Sequence, residues 1–175
     1  PEAEQTISAV DVTHVGGFEG NRLGKNQQNY LHTFPIGKYV GLMETRDFTG
    51  WDWRQGEQPG KWLEASILSA ARTHDTALFD EAHAMYERII RSQAADGYIG
   101  ITAQSVRTPA RPLGGMDAYE LYFLEHALLT AYEVWKDPTA LKAAERLGDY
   151  FVHYIGPGKA EFWPSNLRPP ENKDK

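Results

Sequence analysis

The chain has 175 residues, 18 Lys+Arg against 24 Asp+Glu for a formal net charge of −6, and no cysteine. An acidic balance without a basic run excludes nucleic acid and anionic membrane surfaces as partners, and zero cysteines exclude a disulfide scaffold, a cysteine nucleophile and a thiolate metal site within these residues. At 41% hydrophobic, with 5 Trp, 9 Tyr and 7 Phe, the composition is that of a packed domain rather than a disordered one, and no apolar run approaches the roughly 20 residues of a membrane span.

Residues 7–15 are β-branched with partial alternation and predict a short strand, so residues 1–17 read as a leading strand or arm ended by Gly16-Gly17. The opening Pro1-Glu2-Ala3-Glu4 has no signal-peptide character. Leu23, Gln27, Tyr30, Leu31 and Phe34 then recur at helical spacing as far as Pro35. Residues 37–58 show little periodicity and read as a long loop. Two pairs of helices follow. The first helix opens near Pro59, a residue favoured in a first turn, and runs to about Thr73. After a turn at His74-Asp75, a second extends from Thr76 to about Ala95, with Leu78, Phe79, Ala82, Met85, Tyr86, Ile89 and Ile90 on one face. Gly97 is placed for a left-handed cap. The second pair begins with Asp117 as N-cap and a helix to Trp135 that is apolar over most of its circumference. Asp137-Pro138 starts its partner, which carries Leu141, Ala144, Leu147, Phe151 and Tyr154 and breaks at Gly156-Pro157-Gly158. Residues 164–175 read as a mobile tail.

The two pairs repeat each other. Leu63-Glu64 aligns with Leu124-Glu125 at an offset of 61, Asp75 with Asp137, and Thr76-Ala77-Leu78 with Thr139-Ala140-Leu141 after short slips. A period of this size means stacked helical hairpins. The helix that is apolar all round belongs inside, and the one-striped helix outside with a solvated back. Turns from inner to outer helix are short, and connections back are long, including residues 97–116. Both long connections emerge on the rim where the inner helices begin, and long loops in compact domains are commonly functional.

This layout resembles the (α/α)6 toroid of six-hairpin glycosidases. Four local motifs make the resemblance more specific. Gln93-Ala94-Ala95-Asp96-Gly97-Tyr98-Ile99-Gly100 resembles the turn that follows an outer helix in those enzymes. Glu120-Leu121-Tyr122-Phe123-Leu124-Glu125-His126 is similar to the His-Glu-Leu-Tyr-x-x-x-His helix of glycoside hydrolase family 127, the β-L-arabinofuranosidase-like group. Gly17-Phe18-Glu19-Gly20-Asn21-Arg22-Leu23 with Asn26 resembles that family's opening, and Gly60-Lys61-Trp62-Leu63-Glu64-Ala65 its first inner helix. Together they span roughly residues 10–155. The resemblance implies an all-α fold of helical hairpins forming part of a toroid, with residues 1–175 as the N-terminal portion of its catalytic domain. It also implies a hydrolase acting on L-arabinofuranose or another plant cell-wall sugar. In place of the family's first histidine in the helix motif stands Tyr119. The family's acid/base glutamate and zinc-bound cysteine nucleophile lie in later hairpins. Zinc is therefore expected only in the rest of the enzyme, with no cofactor in these residues. Six hairpins at about 60 residues each need roughly 350, so the remainder of the toroid, or another chain, is expected to cover the inner helices. A sugar epimerase on the same toroid is an alternative that fold alone leaves open. A helical-repeat binding module is another, disfavoured because such arrays repeat at shorter periods with short connections. Compartment is open, with periplasmic or secreted placement favoured over cytoplasmic.

Candidate site residues cluster on the rim. Trp51, Trp53 and Glu57 precede the first inner helix; indole faces stack on sugar C–H faces while carboxylates take hydroxyl hydrogen bonds. Tyr119, Tyr122 and His126, at i, i+3 and i+7, share one face of the second inner helix, with Glu120 beside them. These residues are expected to position substrate. The only rim carboxylates available to a paired-acid mechanism are Asp52, Glu57, Asp117 and Glu120. Arg107 and Arg111 read chiefly as ordinary loop residues, with recognition of an acidic sugar as the alternative. His14, His32, His74, His83 and His153 are scattered without ligand spacing, so no metal site is expected here.

Overall fold

The computed structural model describes residues 11–12, 14–50 and 56–160. The strand expected over residues 7–15 lies mainly outside them, and the tail at 164–175 and Trp51, Asp52 and Trp53 lie wholly outside. The described residues form α1 (Gly17–Asn26) continued by a π-helical turn (Gln27–Leu31), α2 (Ile36–Thr45), α3 (Gln58–Thr73), α4 (Thr76–Ser92), α5 (Asp117–Trp135) and α6 (Pro138–Tyr154), with a 3-10 turn at Gln104–Val106. Among these residues strand pairing is limited to isolated bridges. The fold is all-α, and its helices pair as hairpins.

Residues 37–58 are not all loop, because α2 occupies their first part. Gly37 and Gly41 dilute its pattern, but Ile36, Val40 and Met43 fall on one stripe and are buried. Packing of that stripe against α3 and α4 outweighs the roughly 1 kcal/mol by which each glycine disfavours a helix. Helix α2 thus adds an element, packed on α3 and α4, before the two expected hairpins. The inner layer is the π-turn, α3 and α5. The outer layer is α2, α4 and α6, with α4 on α3 and α6 on α5.

Caps at the hairpin turns follow from local chemistry. Asp75 accepts from Leu78 N at the start of α4, and Asp137 accepts from Thr139 N at the start of α6, ahead of Pro138. Asp117, expected as an N-cap, is instead the first residue of α5, and Met116 holds the cap position without a side-chain bond. The Asp117 carboxylate is turned back into the preceding loop. Gly97 does not cap α4 either. That helix ends at Ser92 with Gln93 extended, and Gly97, at φ 96°, turns the chain beneath the Arg146 carbonyl, 2.2 Å from where a Cβ would sit.

The core joins Trp62, Leu63 and Ile67 of α3 to Leu121, Leu124 and Leu128 of α5, backed by Leu78, Ala82, Tyr86 and Ile89 of α4 and Ala140, Ala144, Leu147 and Tyr150 of α6. Residues 60–74 and 117–135 therefore pack on each other as inner helices, as the repeat predicts. Their backbones come close at Gly60, where a Cβ would stand 2.4 Å from the Phe123 carbonyl carbon and 2.5 Å from Leu124 N. The Trp62 indole N–H donates to Leu31 O at 3.0 Å, tying the π-helical turn to the seam. Tyr86 O–H donates to Asp137 at 2.6 Å, tying the α3–α4 hairpin to the α5–α6 hairpin.

Replacing Gly60 tests the seam. Overpacking of this kind costs about 1–3 kcal/mol, more than the at most ~1 kcal/mol that alanine gains over glycine in a helix. Gly60→Ala is expected to lower the urea midpoint. Gly148→Ala in α6, where nothing lies within 4 Å of the added carbon, is expected to raise it.

Candidate functional site

Two side-chain rungs cross the α3–α5 seam on the face turned away from the outer helices. Lys61 Nζ donates to Tyr119 OH at 3.1 Å and lies 4.3 Å from the Phe123 ring centroid. Three residues further along α3, Glu64 Oε1 accepts from His126 Nδ1 at 3.3 Å. Between the rungs the rings form a continuous wall. Phe123 meets Tyr119 and Tyr122 edge-on at 5.0 and 5.2 Å, and Tyr122 tilts over His126 at 5.1 Å. Tyr122 is 57% exposed and His126 is exposed, so this strip presents aromatic faces, an ammonium, a carboxylate and an imidazole to solvent.

A different set of acids is sunk behind the helix starts. Asp117 is buried and saturated: Oδ1 accepts from Tyr98 OH at 2.8 Å and Thr102 Oγ1 at 3.0 Å, and Oδ2 accepts from Gly114 N at 2.7 Å. Glu120 is buried one turn below, its Oε1 accepting from Gly56 N at 3.0 Å. A Cβ on Gly56 would lie 2.2 Å from the other Glu120 oxygen, so a larger residue there would displace the Glu120 carboxylate. Burial pushes the Glu120 carboxyl up to about 7, reinforced by the charges of Asp117 and Glu57 and opposed by the Gly56 bond. Burial raises Asp117 as well. Glu57 is also buried, 3.9 Å from Lys61 Nζ and accepting from Gln58 Nε2 at 3.2 Å.

The long loops are fastened rather than open. Phe48 and Thr102 form a parallel bridge, with Ala103 N donating to Phe48 O at 2.8 Å. Beside that junction a cavity of about 450 Å³ opens between Leu42, Asp47, Phe48, Thr49, Gly50 and Ile101. Arg107, the alternative reader of an acidic sugar, is buried instead. Its guanidinium stacks 3.7 Å from the Tyr98 centroid, donates to Tyr150 OH at 3.0 Å and pairs with Asp96 at 3.2 Å. It pins the loop and has no face left for a ligand.

Of the residues singled out from sequence, Tyr119, Tyr122 and His126 therefore share the exposed strip. Glu57 and Glu120 stand behind it at the helix starts, and Trp51 and Trp53 lie outside the described residues. Sequence reasoning passed over Lys61, Glu64 and Phe123. The available signal was charge at positions 61 and 64 beside the apolar Trp62, Leu63 and Ile67, three residues apart and so on one face. No group of three or more metal-ligating side chains converges among the described residues. The thiolate zinc site implied by the resemblance needs cysteines that these residues lack. No helix among the described residues is long and apolar enough to cross a membrane.

A family model described as β-L-arabinofuranosidase, GH127 catalytic domain, matches residues 10–166. No curated protein and no solved structure gives a match.

The buried acids set a pH dependence. Glu120 and the half-buried Glu125 are both raised to about 7, Glu125 by burial. Between the ordinary carboxyl range and about 7 the folded chain holds protons that the unfolded chain has lost, so stability falls as pH rises through that window. Asp75, Asp137 and Glu44 are shifted downward and lose their contributions only at more acid pH. Urea midpoints are expected to drop between about pH 5 and about pH 7.5, and Glu120→Gln with Glu125→Gln is expected to flatten that drop. An unchanged slope in the double variant would contradict the assignment.

Proposed function

Because the chain belongs to the family of the GH127 β-L-arabinofuranosidase catalytic domain, we propose that it binds L-arabinofuranose or a related neutral plant cell-wall sugar for glycosidic-bond cleavage. Its role is to position the sugar, and the groups that break the bond come from outside these residues. The observation that supports this reading is the exposed wall of Tyr119, Phe123, Tyr122 and His126 bracketed by Lys61 and Glu64. Aromatic faces accept the apolar C–H face of a sugar, and the flanking polar groups can exchange hydrogen bonds with its hydroxyls.

Charge favours a neutral sugar over a uronate. Glu57, Asp117 and Glu120 crowd the helix starts around one ammonium, Lys61, and Arg107 is already committed to Asp96 and Tyr150. A second carboxylate brought by the ligand would meet net negative potential.

The remaining toroid, from this chain or another, is proposed to seat on the open edge of α5. Leu129 and Tyr132 are exposed there, and Glu125, one turn ahead of Leu129, keeps a buried Oε2 without a hydrogen-bond partner. An apolar helix bringing one donor would satisfy that edge.

Titration of the chain with methyl β-L-arabinofuranoside, followed by Trp fluorescence, tests the sugar reading. Tyr119→Phe and Trp53→Ala are each expected to weaken binding about two- to tenfold, the worth of one lost hydrogen bond or stacking contact. Turnover of an aryl arabinofuranoside by a protein containing the complete toroid separates hydrolysis from epimerisation. Binding that survives both substitutions unchanged would overturn the positioning role.

A further inference from the structure

The lower rung of the strip carries information that the upper one does not. Lys61 is a donor whatever it meets, but an imidazole has two nitrogens, and the bond made by one decides what the other can do. His126 Nδ1 stands 3.3 Å from Glu64 Oε1. A carboxylate only accepts, so the proton of the neutral ring sits on Nδ1 and the lone pair on Nε2. Nε2 has no partner among the described residues. The ring is also restrained in orientation, tilted against Tyr122 at 5.1 Å, while Glu64, the more sheltered of the pair at 29% side-chain exposure against 53%, projects from α3.

We propose that Glu64 is a positioning residue, which holds His126 in its Nδ1-protonated form and so presents Nε2 as a hydrogen-bond acceptor on the aromatic strip. The inference rests on the sugar-binding reading for its purpose, though not for its geometry. Lys61 at the other end of the wall is a donor. A sugar hydroxyl both donates and accepts, and an ammonium meets only its accepting side. A fixed acceptor on α5, seven residues beyond Tyr119, meets the donating side. A histidine free to exchange tautomers would offer that acceptor only part of the time, and an apparent affinity falls with the fraction of the competent form.

The test separates the tautomer from the sugar. In the chain labelled with ¹⁵N, long-range ¹H–¹⁵N correlations of the neutral His126 ring are expected to show the proton on Nδ1. In Glu64→Leu the population is expected to move toward Nε2–H, whereas Glu64→Gln, whose amide oxygen can still accept, is expected to retain Nδ1–H. A proton already on Nε2 in the unaltered chain, or a tautomer unmoved in folded Glu64→Leu, overturns the inference. Methyl β-L-arabinofuranoside titration is the second arm. Glu64→Leu and His126→Ala are expected to weaken binding to the same extent, about two- to tenfold, and their combination to add nothing. Additive losses would overturn the claim that Glu64 acts through His126. A chain that never binds the glycoside, yet shows the tautomer shift, would overturn the sugar reading and leave the positioning of His126 standing.

Discussion

At Gly60 the backbone of α3 comes so close to that of α5 that no side chain fits between them, and every later feature of the site follows from that approach. Two helices in contact through backbone bring the residues flanking the contact within reach of one another. Lys61 can then meet Tyr119, and Glu64 can meet His126. The same approach buries Trp62, Leu63 and Ile67 against Leu121, Leu124 and Leu128. At roughly 1.5–3 kcal/mol for each large apolar side chain fully buried, that contact dominates the seam. The rungs above it are partly exposed pairs, of a kind worth about 0–1 kcal/mol. They do not hold the helices together, which leaves them available for recognition.

The loops that feed the inner helices are organised by polar groups rather than by apolar ones. Asp117 gathers Tyr98, Thr102 and Gly114 around its carboxylate, and Arg107 binds Tyr150 and Asp96 while stacking on Tyr98. Residues 98–103 are buried as a result. Glu120 extends the same logic to the other loop by capturing Gly56 N. Sinking several acids in one place is electrostatically unfavourable, and the upward shifts of Asp117 and Glu120 are the direct expression of it. What that arrangement yields is a rim whose shape is set before any ligand arrives.

This division separates two kinds of carboxylate that look alike in the sequence. Asp117 and Glu120 lie close to Tyr119 in the chain, but their helical angles turn them toward the loops, where their oxygens are taken by backbone and hydroxyl donors. Glu64, distant in sequence, is the acid that reaches the exposed wall. Membership in the GH127 catalytic-domain family identifies the kind of chemistry, while the seam and its rungs carry the polar groups on which the proposed sugar contact rests.

The sequence by itself determined the helices of the two repeated hairpins and their order of layering. Strong 3.6-residue periodicity in α4 and α6, apolar residues around α5, and Asp75 and Asp137 ahead of their helices are local signals, and local signals survive without knowledge of neighbours. The face shared by Tyr119, Tyr122 and His126 was legible for the same reason, being fixed by helical spacing alone. Only the tertiary structure decided the rest. Helix α2 was hidden because glycines at 37 and 41 weaken its pattern, and its stability comes from packing on α3 and α4. Asp117 and Arg107 could not be told from a cap and an exposed loop cation until the partners that bury them were in place. Lys61 and Glu64 acquired their roles from side chains some sixty residues away on another helix. Such pairings depend on which faces of two helices meet and at what height, a relation set by Gly60 and the packing around it rather than by any spacing along the chain.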